Sequence, residues 1–145
     1  MNPDGGVPIY LLHPLVVHFP IALLVLGLLV ALAGESARSP AWFPPAAAWM
    51  LGVGTLLLWA ALGLGLLAER TMPHVPAAWK ALASHKERAW MTAWAFTAVC
   101  GLQFYGRGRR QAWVHVLWGL ALVLLILTAH LGATLVFTYG VGSTQ

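Results

Sequence analysis

From Ile21 to Gly34 the chain reads IALLVLGLLVALAG, without one ionisable or amide side chain. Crossing a bilayer core of about 30 Å takes roughly 20 apolar helical residues. Stretches of that kind are drawn at about 11–33, 46–68, 85–105 and 113–138. The expected fold is therefore all-α: a polytopic membrane protein built as one domain over residues 1–145, a four-transmembrane-helix bundle with a short interfacial helix between helices two and three.

The surrounding composition agrees. Hydrophobic residues make up 60% of the chain and charged residues only 8%, against about 25% charge in soluble domains. The net charge of +4 comes from basic residues in short clusters between apolar runs. There they serve as anchors at the membrane ends, which argues against nucleic acid as a partner. Cys100 stands alone, so no disulfide framework is expected. The tail ahead of helix one has no Lys or Arg and the run is long, so it reads as a retained helix and not as a cleaved leader.

Helix one must include LHPLVVHFP, at Leu12 to Pro20. A start at Pro20 would leave about 14 residues, or about 21 Å at about 1.5 Å per residue, too short to cross. Pro14 then belongs to the first turn, and Pro20 frees the Val16 carbonyl and kinks the helix. The loops around Arg38 and GRGRRQ (106–111) share one end of the bundle. The N-terminus, the loop 69–84 and the C-terminus share the other. PAAWKALA (76–83) reads as the interfacial helix, and Ser84-His85-Lys86-Glu87 as a capping box that starts helix three. Each end carries four Lys or Arg: Arg38, Arg107, Arg109 and Arg110 against Arg70, Lys80, Lys86 and Arg88. The uncharged leading tail followed by Arg38 breaks the tie. It predicts that the arginine-rich end is cytoplasmic and that both termini lie outside a bacterial inner membrane. Gly52, Gly54, Gly63 and Gly65 in helix two suit close helix packing, or room for a flat cofactor.

Five histidines, His13, His18, His74, His85 and His130, fall towards one end, and only His115 towards the other. A histidine within a span is costly unless it has a partner, so function is the default reading. Counted along their helices, His18 and His130 reach matching depths of roughly 10–12 Å. They are expected to be buried as axial ligands of a haem iron on opposite faces of the ring. His13 and His85 form an outer level, either a second ligand pair or groups that hold the propionates. The same rings suit copper or zinc, although no HExxH or CxxC is present. The plainer alternative is hydrogen bonding to backbone or hydroxyls, for His18 near the Val16 carbonyl and for His130 near Thr128 or Thr134. His74 reads as solvated and His115 as an interfacial anchor. Trp90, Trp94, Trp113 and Trp118 read as interface or packing residues.

HPLVVHFPIAL at the start of helix one and AHLGATLVFTYGVG at Ala129 to Gly142 resemble a family of small bacterial four-helix membrane proteins catalogued as domain of unknown function 2231. The resemblance covers the whole chain in layout and rests on those two motifs. It implies that His13, His18, His85 and His130 are the functional set, and that redox work occurs near the outer face, with an extracytoplasmic c-type cytochrome as one partner. Ala133 stands where a second glycine is expected, and Phe137 where tyrosine is usual.

Together these readings predict a membrane b-type cytochrome holding one or two haem b groups. It would relay electrons rather than catalyse, with the lipid bilayer, a quinone, a c-type cytochrome or a second copy of itself as partners. The alternatives are a copper or zinc module and a cofactor-free structural subunit.

Overall fold

The computed structural model describes residues 8–106 and 112–142. A 3-10 turn, Ile9–Leu11, leads into α1, Leu12–Val16, and α2, His18–Gly34. α3 runs Phe43–Thr71, a second 3-10 turn spans Pro76–Ala78, α4 runs Trp79–Tyr105 and α5 runs Ala112–Phe137. The described chain is all-helical. Three stretches are long and apolar enough to cross a membrane: Ile9–Gly34, Phe43–Thr71 and Ala112–Phe137. α4 is the fourth long helix but falls outside that set: Lys80, Lys86, Glu87 and Arg88 occupy its first turns, and Trp90, Thr92, Trp94, Thr97 and Gln103 dilute the apolar stretch that follows. The leading tail, residues 1–7, and residues 107–111, with Arg107, Arg109 and Arg110, lie outside the described residues.

Expected and observed boundaries differ in three places, each for a physical reason. The break between α1 and α2 falls at Val17, where Pro20, lacking an N–H, cannot return a bond to the Val16 carbonyl. The next bond, Ile21 N–H to the Val17 carbonyl, is stretched to 3.4 Å. α3 starts three residues early, since Pro44 and Pro45 occupy its first turn, where a missing N–H costs nothing. It stops at Thr71 because Met72, preceding Pro73, is held extended (ψ 154°). The third difference is the largest. There is no separate interfacial helix and no capping box at Ser84. PAAWKALA runs from the 3-10 turn straight into α4, with no glycine or proline between Ala77 and Ser84 to interrupt it.

α2 packs along α3 and α4 along α5, giving two antiparallel hairpins that meet through α3 with α4 and α2 with α5. Leu24, Leu51, Phe96, Val114 and Trp118 are fully buried at the centre. Trp118, one of the residues expected at an interface or in packing, is in the core, where its indole N–H donates to the Leu24 carbonyl at 3.0 Å. A Cβ on Gly27 would stand 2.9 Å from that ring, and one on Gly54 would stand 2.8 Å from Leu24, so small residues set the distance between helices. Leu26, Leu29, Leu56, Leu120, Val123 and Ile126 are exposed on the outer surface. That pattern suits a solvent of lipid.

At the histidine-rich end, α5 closes with Gly140 in the left-handed region (φ 66°). The Gly140 N–H donates to the Val136 carbonyl and the Val141 N–H to the Leu135 carbonyl, both at 3.0 Å. This αL closure, a 5→1 bond from the left-handed Gly140, brings Val141 back onto Leu135, where both pack with Ala78 in a small second core. The turn before α4 and the end of α5 are thereby fixed beside the N-terminal segment, with Gly142 against Tyr10.

Candidate functional site

The two hairpins carry the same device. In the first, His13 on α1 reaches α3, and its Nδ1–H donates to the Ala61 carbonyl at 2.8 Å. In the second, His85 on α4 reaches α5, and its Nδ1–H donates to the Thr128 carbonyl at 3.0 Å. A carbonyl inside a helix already accepts from the N–H four residues on, and its second lone pair is normally covered by the side chain there, since helical side chains lean towards the N-terminus. Four residues beyond Ala61 stands Gly65, and four beyond Thr128 stands Gly132. Each glycine leaves its carbonyl open to the ring. A Cβ on Gly65 would lie 3.1 Å from His13 Cε1, and one on Gly132 would lie 3.2 Å from His85 Cε1.

The hairpins bring these rings together. Their centres are 6.3 Å apart and their planes are inclined at 77°. Because a carbonyl only accepts, Nδ1 must carry the proton on both rings, and in a neutral imidazole that leaves Nε2 as the bare nitrogen. The same second-shell bond orients histidines that ligate metals. Two imidazoles on opposite sides of one ion, with metal–nitrogen distances of about 2.0–2.1 Å, set their ring centres about 6 Å apart. The ring centres of His13 and His85, 6.3 Å apart, are separated by a distance of that size.

Beneath His85 the two helices are also tied by hydroxyls. Thr92 and Thr128 Oγ1 are 2.9 Å apart; with one proton on each hydroxyl, one donates across to the other helix while the other donates to the carbonyl one turn back, Arg88 at 2.7 Å or Leu124 at 2.8 Å. Both threonines are buried. Above the pair, Lys86 Nζ donates to Glu69 Oε1 at 2.7 Å, linking α4 to the end of α3.

The expectation that His18 and His130 are buried and level is overturned. Both are exposed. The buried positions of α2 are Pro20, Leu24, Gly27 and Ala31, and those of α5 include Leu125, Thr128 and Leu135. His18 and His130 each stand two residues from such a position, which at about 3.6 residues per turn is the opposite face. The depths differ as well. The His85 ring lies across Thr128 and Gly132, which places His130 on the same turn, whereas His18 is five residues beyond His13, about 7–8 Å along the helix. His130 is approached by Thr134 only through its backbone, whose carbonyl accepts from Thr134 Oγ1 at 3.0 Å. His74 is exposed. At the other end, His115 Nδ1 lies 3.7 Å from Glu35 Oε1, a partner on a different helix end that sequence spacing did not suggest. Among the described residues, no three His, Cys, Asp or Glu side chains gather as a metal cluster.

Sequence reading named His13 and His85 but missed Ala61, Thr128 and Gly132 as their seats, and gave Gly65 only a general packing or cofactor-room role. A signal was present: a glycine four residues after an accepting carbonyl, once in each hairpin. It becomes legible only when the level of the facing histidine is known.

The fold and its lipid-facing surface define a helical membrane protein. The sequence model of the family described as "Predicted membrane protein (DUF2231)" matches residues 10–145, and the chain belongs to that family. No protein of curated function and no solved structure matches it.

Proposed function

We propose that the chain is a membrane electron-transfer protein that holds one haem b between His13 and His85 in a bundle crossing the membrane four times. The observation that carries this reading is the neighbouring pair of imidazoles, each oriented by an Nδ1–H bond to a carbonyl, each with Nε2 bare, and with ring centres 6.3 Å apart. A haem iron takes four nitrogens from its own ring and needs only two from the protein. Structural zinc takes four protein donors and catalytic zinc three, more than this pair offers. One pair supports one haem. The exposed His18 and His130 are left outside the ligand set.

When bound, haem supplies a one-electron redox centre. The residues of the chain hold and tune it. The carbonyls of Ala61 and Thr128 fix the ring orientations and raise the basicity of the ligating nitrogens. The Thr92–Thr128 pair fixes the helix that presents one carbonyl. In this reading α4 completes the fourth crossing with its apolar part from residue 89 to 105, about 25 Å of helix, which its antiparallel packing on α5 favours. The uncharged leading tail followed by Arg38 favours a cytoplasmic arginine-rich end. The pair then lies near the outer face of a bacterial inner membrane, within reach of an extracytoplasmic c-type cytochrome. A copper ion is the second reading, because imidazole also suits copper and two rings can hold one ion without a porphyrin.

The test is the visible spectrum of protein purified from haem-replete cells. A Soret band and a sharp α-band on reduction, with pigment extracted by acid-acetone because no CxxCH attachment motif is present, are expected. Stoichiometric copper with neither band would replace haem by the second reading.

A further inference from the structure

Between the end of α3, the start of α4 and the closing turn of α5, at the histidine-rich end of the bundle, lies a cavity of about 300 Å³. We propose that it binds the ring of a lipid-soluble quinone. The choice of a redox-active ring rests on the reading of the histidine pair as an electron-transfer centre; the shape and chemistry of the cavity do not.

The volume stands at the lower bound of small-molecule sites, which run from about 300 to 1,000 Å³. Met72, Trp79 and Val141 supply apolar walls, while Glu69, His74 and Lys86 supply the polar ones. Lys86 and Glu69 are already joined at 2.7 Å, so the polar wall carries a neutral ion pair and has no excess charge to hold an anion. An ammonium has three donors, and Glu69 takes one of them. The remaining N–H groups suit the carbonyl oxygen of an oxidised quinone, and the carboxylate suits the hydroxyl of the reduced form, so one wall recognises both redox states. A metal is a poorer occupant, since Glu69 and His74 belong to no three-donor cluster among the described residues.

Position favours the same ligand. Glu69 is one helical turn beyond Gly65, on which the His13 ring rests, and Lys86 follows His85 directly. Trp79, on the cavity wall, is 60% exposed. An isoprenoid tail thus has an apolar surface to follow from the cavity towards the bilayer.

The experiment is photolabelling of the purified full chain in detergent with an azido-substituted short-chain quinone, followed by peptide mapping. Label is expected on residues 72–86, competed by decylubiquinone and not by inorganic phosphate. Ala83, exposed and lining the cavity, tolerates enlargement without disturbing the core, so Ala83→Phe should cut labelling at least fivefold. Lys86→Gln, which keeps the size and removes the donor charge, should weaken it severalfold. Label spread over the outer faces of α2 and α5, or unchanged in Ala83→Phe, would overturn the site. The absorption spectrum of the same sample separates the two readings. A Soret band without label in the cavity removes the quinone site alone, and label in the cavity without a Soret band keeps the quinone site and removes the haem.

Discussion

Three glycines of similar appearance in the sequence have different duties, and substitution separates them. Gly63 faces open space, with nothing within 4 Å of an added Cβ, whereas Cβ atoms on Gly65 and Gly132 would crowd His13 and His85 at 3.1 and 3.2 Å. An alanine inside a helix is worth about 0.5–1 kcal/mol over glycine. Gly63→Ala is therefore expected to raise thermal stability in detergent by about that amount. Gly65→Ala and Gly132→Ala should show no such gain, because the ring must withdraw from its carbonyl, and should weaken cofactor retention. Equal stabilisation by all three substitutions would deny the glycine seats. At this scale the candidate residues were readable, since ionisable rings inside apolar runs stand out. Their roles were not. Depth counted along a helix set His130 level with His18 when it stands on the turn that seats His85, and it says nothing of facing, which decided that His13 and His85 meet while His18 and His130 point outwards.

Element boundaries follow local chemistry where a proline or glycine imposes them. Pro20 breaks the first helix and Pro73 ends α3. Gly140 closes α5, and Gly140→Ala is expected to cost about 1–2 kcal/mol, since an L side chain disfavours the left-handed region. The loss is read as a lower melting temperature, with the turn at Val141 loosened first. An unchanged melting temperature would contradict the αL closure at Gly140. The start of α4 was misread because two plausible signals competed. Ser84-His85-Lys86-Glu87 has the composition of a capping box, but a cap requires non-helical backbone before it. The uninterrupted helix formers from Trp79 to Ala83 deny it that. His85 therefore stands on the second turn of a longer helix, which carries its ring down to Thr128.

For the whole molecule, the sequence announced the all-helical layout and the grouping of the N-terminal segment, the 72–79 connection and the C-terminal turn at one end, because apolar length and alternating direction determine both. Packing within it depended on glycines and threonines that hydropathy does not rank. Orientation can be tested without reference to cofactor. With Cys100 replaced by alanine, a cysteine at the exposed Ala77 should react with a membrane-impermeant thiol reagent in intact cells, and one at the exposed Ser36 should not. Reversed labelling would put the histidine pair at the cytoplasmic face and exclude an extracytoplasmic cytochrome as its partner.

The central claim is that two rings from two hairpins hold one redox centre, and the reduced-minus-oxidised spectrum of four single variants tests it most directly. His13→Ala and His85→Ala should each abolish the low-spin α-band, while His18→Ala and His130→Ala, which alter exposed positions, should retain it at wild-type intensity. Loss of the band in His18→Ala and His130→Ala with its retention in His13→Ala and His85→Ala would contradict the account.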